Sequence, residues 1–249
     1  MRTDRMTEST RVVLVGGGKG GVGKSTVAAA LAERLAERSR VALLDADLSG
    51  PSLPTLLGLT DRPRVVDGRM LPVPAGRLGV MSTGLLGPAD KAFTWRGPLL
   101  RGILRQLLNE VAWGPLDFLV VDLPPGSGEI HTALLDLVTP SAAVVVTTPQ
   151  PLAVADTRRF LSFLAEQVPV VGVVENMSGI ECPQCHRHSE TPAAGARPAW
   201  PAETFRLPMV LGEQRPWTAN PAFRQTIDDL ADRLRDRCPA APVPAEGTA

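Results

Sequence analysis

The sequence predicts an α/β fold, with a mostly parallel central sheet and helices on both of its faces, from three observations. Short runs rich in Val, Leu and Ile recur and are apolar throughout rather than alternating, which suits parallel strands buried on both faces. Stretches with apolar residues at helical spacing lie between them, so strand and helix alternate. A glycine-rich segment joins the first such run directly to the first such helix.

In chain order, strands are expected at 12–15, 41–44, 118–121, 143–147 and 170–174. A helix over 26–37 carries Val27, Leu31 and Leu35 on one side, and one over 98–111 carries Leu100, Ile103, Leu104, Leu107 and Leu108 as a wide stripe. Residues 182–207, rich in Pro, Ala, Gly and polar side chains, break the rhythm and read as a loop insertion. A last helix is predicted over 221–237. Asn220 is its cap, Pro221 lies in its first turn, and Phe223, Ile227, Leu230 and Leu234 share one face. The expected organisation is a flexible start over 1–10, one domain over 11–237 and a disordered tail over 238–249.

Composition removes several classes of function. The chain has 249 residues, 44% hydrophobic and 21% charged, which excludes a wholly disordered protein and allows one sizeable α/β core. The 26 basic residues balance 26 acidic ones, so no global attraction to nucleic acid or to an anionic membrane is expected. No run approaches the roughly 18–20 apolar residues of a membrane span, and residues 1–11 lack the apolar core of a secretory signal, so a cytoplasmic protein is expected. Three cysteines are too few for a disulfide framework, and the close pair Cys182 and Cys185 reads as a metal or redox site.

The strongest motif is Gly18-Lys19-Gly20-Gly21-Val22-Gly23-Lys24-Ser25-Thr26, a P-loop of the form G-x-x-x-x-G-K-[ST] between strand and helix. Its glycines let backbone N–H groups and the helix N-terminus face a polyphosphate, which predicts a three-layer P-loop NTPase binding ATP. Lys24 is expected on the β and γ phosphates and the Ser25 hydroxyl on Mg²⁺. Three carboxylates follow strand ends, where open α/β sheets place their ligands. Asp45 and Asp122 suit Mg²⁺ held through water, and Asp47, two residues beyond Asp45, suits orienting the attacking water. Lys19 is a further cation in the loop, either solvated or functional.

The K-G-G-V-G-K-S-T form resembles the deviant Walker A motif of the MinD/ParA/nitrogenase iron-protein class. That resemblance implies that Lys19 reaches the nucleotide of a second subunit in an ATP-sandwiched homodimer. Longer phrases narrow it: Asp45-Ala-Asp-Leu-Ser-Gly-Pro-Ser52, Trp95-Arg-Gly-Pro98, Asp117-Phe-Leu-Val-Val-Asp-Leu-Pro-Pro-Gly-Ser-Gly128, Thr147-Thr-Pro-Gln150 and Val173-Val-Glu-Asn-Met-Ser178. Together with Cys182-Pro-Gln-Cys185 they resemble the Mrp/ApbC family of iron-sulfur cluster carrier ATPases. The resemblance implies switch I at 45–52, switch II at 122–129 and Asn176 as the adenine-recognising amide. It also implies a [4Fe-4S] cluster bridging two subunits through Cys182 and Cys185 of each, received from an assembly scaffold and passed to apo iron-sulfur proteins.

The residues themselves leave other possibilities for the cysteine pair. C-x-x-C supplies half a tetrahedral set, and with His186 and His188 it could instead hold zinc, or act as a redox dithiol. A MinD/ParA-like positioning or partition ATPase and a zinc-stabilised nucleotide-dependent regulator are the alternatives. Against the former, the last helix balances Arg224, Arg233, Arg235 and Arg237 with Asp228, Asp229, Asp232 and Asp236. After Cys185 the family continues with a Gly-rich segment, a helix and a core strand, whereas residues 189–205 are rich in Pro and Ala. The last edge of the sheet is therefore left open.

Overall fold

The computed structural model describes residues 9–87, 97–181, 184, 187–191 and 198–238. The chain opens with β1 (Arg11–Gly16), α1 (Lys24–Leu35), β2 (Val41–Asp45) and the short α2 (Leu53–Leu57). An excursion follows through β3 (Val65–Val66), β4 (Arg69–Met70), β5 (Val73–Ala75) and β6 (Leu78–Met81). Next come α3 (Gly97–Asn109), β7 (Phe118–Asp122), α4 (Glu129–Leu137), β8 (Ala142–Thr147), α5 (Pro151–Leu164) and β9 (Val170–Glu175). The chain then forms β10 (Gly179–Glu181), β11 (His188–Glu190), β12 (Glu203–Arg206), α6 (Pro216–Ala219) and α7 (Pro221–Arg237).

Eight strands form one sheet in the order β12-β9-β8-β1-β7-β2-β6-β5, parallel except for the β5–β6 edge pair. Alternate residues of β1 serve opposite cores. Val13 and Val15 face the layer of α1 and α7, packing with Leu31, Leu35, Phe223, Ile227 and Leu230. Val12 and Leu14 face the layer of α3, α4 and α5, packing with Leu104, Leu108, Leu134, Phe160 and Leu161. Burial on both faces is why the strands read as unbroken apolar runs. Ala28, Ala29, Ala30 and Ala32 keep α1 thin enough to pack closely on the sheet and beside α7 in the same layer.

The predicted strands extend by one or two residues, and the first helix begins at Lys24, two residues earlier than expected. The last helix stands as predicted, with Asn220 Oδ1 accepting the Phe223 N–H at 2.8 Å. Two expectations need correction. The segment 182–207 is not irregular throughout, because β12 pairs parallel to β9 from Glu203↔Gly172 to Arg206↔Glu175 and closes the open edge. Gly172 makes room for it: a Cβ there would lie within 3.0 Å of the Phe205 ring. Cys238 is no part of a disordered tail. It is buried, with its N–H on the Leu234 carbonyl and its thiol toward the Ser141 carbonyl. Of the expected flexible start, Thr10 is described and donates its hydroxyl to the Leu116 carbonyl. Among the described residues, no helix is long and apolar enough to cross a membrane.

Candidate functional site

The loop between β1 and α1 is shaped by neighbours far away in sequence. A Cβ on Gly16 would collide with the Phe160 ring of α5, one on Gly17 with the Val146 carbonyl of β8, and one on Gly18 with the Asp156 backbone of α5. These glycines are therefore required by close packing. Gly20 and Gly21 are different, for nothing lies within 4 Å of a Cβ at either position, and Gly21 is required by its φ of 76°. Gly23, with φ 93°, is the left-handed residue at the head of α1, and no side chain caps the helix there. Its first N–H groups are left for a ligand. Gly18→Ala is expected to destabilise the protein by about 2–4 kcal/mol, and Gly20→Ala by no more than about 0.5 kcal/mol, because only the first meets fixed backbone. Urea unfolding of the two variants against the parent checks this.

Lys24 is nearly buried, and its ammonium donates to the Lys19 carbonyl at 3.3 Å. Burial pushes its pKa down, while the charges of Asp122 and Asp47 pull it up. Lys19 is partly buried beside it in the loop. The β2–β7 register sets Asp45 directly opposite Asp122, so two buried carboxylates stand side by side at the strand ends. Asp45 is well satisfied: Oδ1 accepts the Asp47 N–H at 3.2 Å, and Oδ2 accepts the Leu53 N–H at 3.3 Å and the Ser82 hydroxyl at 3.0 Å. Burial nevertheless pushes its pKa up to about 7, and the Asp47 charge adds to this. Asp122 has the Ser25 hydroxyl near it, and neither of its oxygens makes a well-formed hydrogen bond. Burial first, and Asp45 second, hold its pKa well above the usual range against the pull of Ser25 and Lys24.

A buried carboxylate so poorly partnered is costly unless a cation joins it. Asp122, Asp45 and the Ser25 hydroxyl form a hard-oxygen set that fits Mg²⁺. Among the described residues, no three acidic or metal-binding side chains converge closely enough to hold an ion alone. Waters and phosphate oxygens must then supply most ligands, as Mg²⁺ prefers. Ser25 also receives the Ser52 hydroxyl at 2.8 Å, which brings the end of the 45–52 segment onto the loop. Asp47 Oδ1 accepts the Gly50 N–H at 3.0 Å and folds that segment into a turn.

The raised Asp45 pKa sets a direction with pH. The folded acid holds its proton between about pH 4 and 7 where the unfolded one has lost it, so the cation-free protein loses stability as pH rises through that window. A cation needs the carboxylate, so Mg²⁺ affinity is expected to rise with pH up to about 7, with proton release on binding. Calorimetric titration in two buffers of different ionisation enthalpy measures that release, and equal heats in both would refute it.

Asn176 follows β9, its side-chain amide against the loop: Nδ2 donates to the Val22 carbonyl at 2.9 Å and Oδ1 accepts the Met177 N–H at 3.0 Å. Three residues on, β10 pairs antiparallel with β11, Gly179↔Glu190 to Glu181↔His188. Cys182, Cys185 and His186 lie outside the described residues, as do Trp95 and Arg96. Sequence reasoning missed Ser82, the partner of Asp45, and His131 in the first turn of α4. His131 is buried against Phe160 and Phe163 with neither ring nitrogen hydrogen-bonded. Burial depresses its pKa to about 4, so it stands as a neutral packing group beneath the 122–129 turn. Neither residue has a local signal, since each is recognisable only from what the fold brings against it.

A phosphate loop between a parallel strand and a helix, with a buried carboxylate at the end of the adjacent strand β7 and another at the end of β2 beyond it, defines the P-loop NTPase class. Within it, the chain belongs to the ParA family of NUBPL iron-transfer P-loop NTPases, whose family model matches residues 8–210. It is 48% identical over 177 residues to the iron-sulfur cluster carrier protein of Aquifex aeolicus (strain VF5), covering 69% of this chain and 49% of that one. It is 46% identical over 185 residues to the cytosolic Fe-S cluster assembly factor NUBP2 homolog of Trichoplax adhaerens, covering 70% of this chain and 69% of that one. The chain thus spans about half the length of the bacterial carriers it matches. Among solved structures, a nucleotide-binding protein from Archaeoglobus fulgidus in complex with ADP is similar with TM-score 0.68 and 31% identity, covering 93% of this chain and 90% of that one. The MinD protein of Pyrococcus horikoshii OT3 with Mg-ADP shares the fold, at TM-score 0.63 and 18% identity, over 90% of this chain and 96% of that one.

Proposed function

We propose that this chain is an ATP-hydrolysing iron-sulfur cluster carrier that holds a labile [4Fe-4S] cluster between two subunits and transfers it to apo-proteins. One observation carries the proposal. Cys182 and Cys185 stand in the segment joining β10 to β11, beginning six residues after an asparagine hydrogen-bonded to the phosphate loop. Nucleotide chemistry and a thiolate pair thus share one stretch of chain. The family membership and the carrier names of the relatives point the same way.

In this proposal the N–H groups of Gly18, Gly20, Gly21, Val22 and Gly23 and of the head of α1, through Ser25 and Thr26, wrap the polyphosphate. Lys24 neutralises charge on its β and γ phosphates, and Lys19 does so on the nucleotide of the partner subunit. Ser25, Asp45 and Asp122 hold Mg²⁺, the carboxylates through water, which supplies further charge neutralisation when bound. Asp47, half-buried at the mouth of the site, orients the water that attacks the γ-phosphorus as the bond to ADP breaks. The second N–H of the Asn176 amide serves the adenine edge. One thiolate pair per subunit becomes four across a twofold axis, enough for a shared cluster that is cargo rather than a fixture. A scaffold donates it and apo iron-sulfur proteins accept it. A cytoplasmic site of action accords with the cytosolic designation of the Trichoplax relative.

The apolar face of α7 is spent in the core, which weighs against its use as a membrane anchor in a positioning ATPase. Anaerobic reconstitution tests the proposal: about four iron and four sulfide per dimer are expected, with Mg²⁺-dependent release of phosphate from ATP. Stoichiometric zinc without sulfide would overturn the carrier function and leave a nucleotide switch. ATP-dependent co-sedimentation with DNA or liposomes would favour a positioning ATPase instead.

A further inference from the structure

The amide of Asn176 is buried and committed on both sides within the protein. It donates to the Val22 carbonyl at 2.9 Å and accepts from the Met177 N–H at 3.0 Å. The turn that brings it there is unusual, since Met177 adopts φ 57°, a left-handed conformation that side chains other than Gly and Asn rarely take. Opposite it, a Cβ on Gly23 would lie within 3.0 Å of Nδ2. The loop residue at the head of α1 is therefore a glycine partly so that this amide can reach the backbone beside it. A group whose only task was to meet a base needs neither the contact with Val22 nor the close approach to Gly23.

The same residue begins the path toward the cysteines. Met177 and Ser178 are clamped by the Thr191 hydroxyl on the Met177 carbonyl at 2.7 Å, the Thr191 N–H on the Ser178 carbonyl at 2.9 Å and the Ser178 hydroxyl on the Leu207 carbonyl at 3.0 Å. β10 starts at the next residue. A shift of Val22 as the loop closes on phosphates would pull on Asn176, and this clamp would pass the displacement into the β10–β11 pair.

We infer that Asn176 is a positioning residue for the phosphate loop, holding it through the Val22 carbonyl whether or not a base is bound, and that it ties the loop to the hairpin strands flanking Cys182 and Cys185. The inference rests on the proposed nucleotide binding. It adds to base recognition rather than replacing it, because the amide has two N–H donors and Val22 uses one.

Tripolyphosphate separates the two roles, since it offers phosphates and no base. Calorimetric titration of Mg-tripolyphosphate and Mg-ATP into the parent and into Asn176→Ala, with thermal unfolding as a check on the fold, is expected to show tripolyphosphate weakened by one factor and ATP by at least that factor, since ATP also loses its base contact. That factor is about tenfold, the contribution of one buried hydrogen bond. Weakened ATP with unchanged tripolyphosphate assigns Asn176 to the base alone and overturns the inference. A parent that binds neither ligand overturns the nucleotide function itself, and the inference with it. Should Asn176→Ala fail to fold, the parent suffices. One side-chain amide proton of Asn176 should exchange slowly in the ligand-free protein by NMR, and free exchange of both overturns the inference. For the tie to the hairpin, tripolyphosphate should change the alkylation rates of Cys182 and Cys185 in cluster-free parent and not in Asn176→Ala. Unchanged rates in the parent overturn that tie.

Discussion

Replacing Lys24 by alanine is expected to lower ATP turnover by about 10²–10³-fold, the usual consequence of losing one preorganised charge at a reacting phosphate. The ammonium is nearly buried, lies within the field of Asp122 and Asp47, and spends one hydrogen bond on the Lys19 carbonyl. Its other donors are free to meet an anion entering the loop. The fold should survive, because α1 is anchored by Val27, Leu31, Leu35 and its alanines rather than by Lys24. Removal also takes a cation from beside Asp122, whose carboxyl then ionises less readily, so the pH at which Mg²⁺ affinity levels off should move upward. Lys24→Arg is not expected to rescue turnover, since a planar guanidinium does not occupy the place of a compact ammonium in so tight a loop. Steady-state phosphate release with Mg²⁺ titrations at several pH values measures both effects. Turnover within threefold of the parent in Lys24→Ala would remove this lysine from the chemistry.

Where residues act on their immediate neighbours, the sequence was readable. The central strands announce themselves because burial on both faces demands unbroken apolar runs, and α7 does so because cap, proline and apolar stripe agree. The phosphate loop and the aspartates at the ends of β2 and β7 are legible for a related reason, as strand ends and turns have local signatures. What escaped depends on distant partners. β12 buries Phe205 at the sheet edge and leaves its other residues less covered, so four residues amid Pro and Ala show no usable period. α4 and α5 carry no side-chain cap hydrogen bond, and the one local hint for α5 is Pro151 in its first turn. That Gly18 answers to the Asp156 backbone, Asp45 to Ser82, and Gly23 to Asn176 follows only when the sheet order brings those segments together. Even the glycines, read as a phosphate cradle, divide into three required by packing, two on the open side and one required by both backbone conformation and a neighbouring amide.

Converting Cys182 and Cys185 together to serine is expected to abolish cluster binding while leaving the nucleotide site as it was. The stem next to them is held by backbone and by other side chains. β10 and β11 are joined by backbone pairing from Gly179↔Glu190 to Glu181↔His188, and β10 is held from the other side by the Met209 N–H on the Gly179 carbonyl at 2.6 Å. The clamp at Met177 and Ser178 uses Thr191 and Leu207. Serine hydroxyls do not ionise at neutral pH and bridge iron poorly, so four thiolates per dimer fall to none. Iron and acid-labile sulfide after reconstitution should drop from about four each per dimer to near zero, while the melting temperature and the affinity for Mg-ATP stay with the parent. Each single variant, retaining two thiolates of four, should reconstitute poorly and lose its cluster faster to a chelator. Iron and sulfide retained in the double variant would place the cluster elsewhere. A loss of ATP affinity alongside the iron would instead mean that the thiolates support the loop through the same stretch of chain that Asn176 begins.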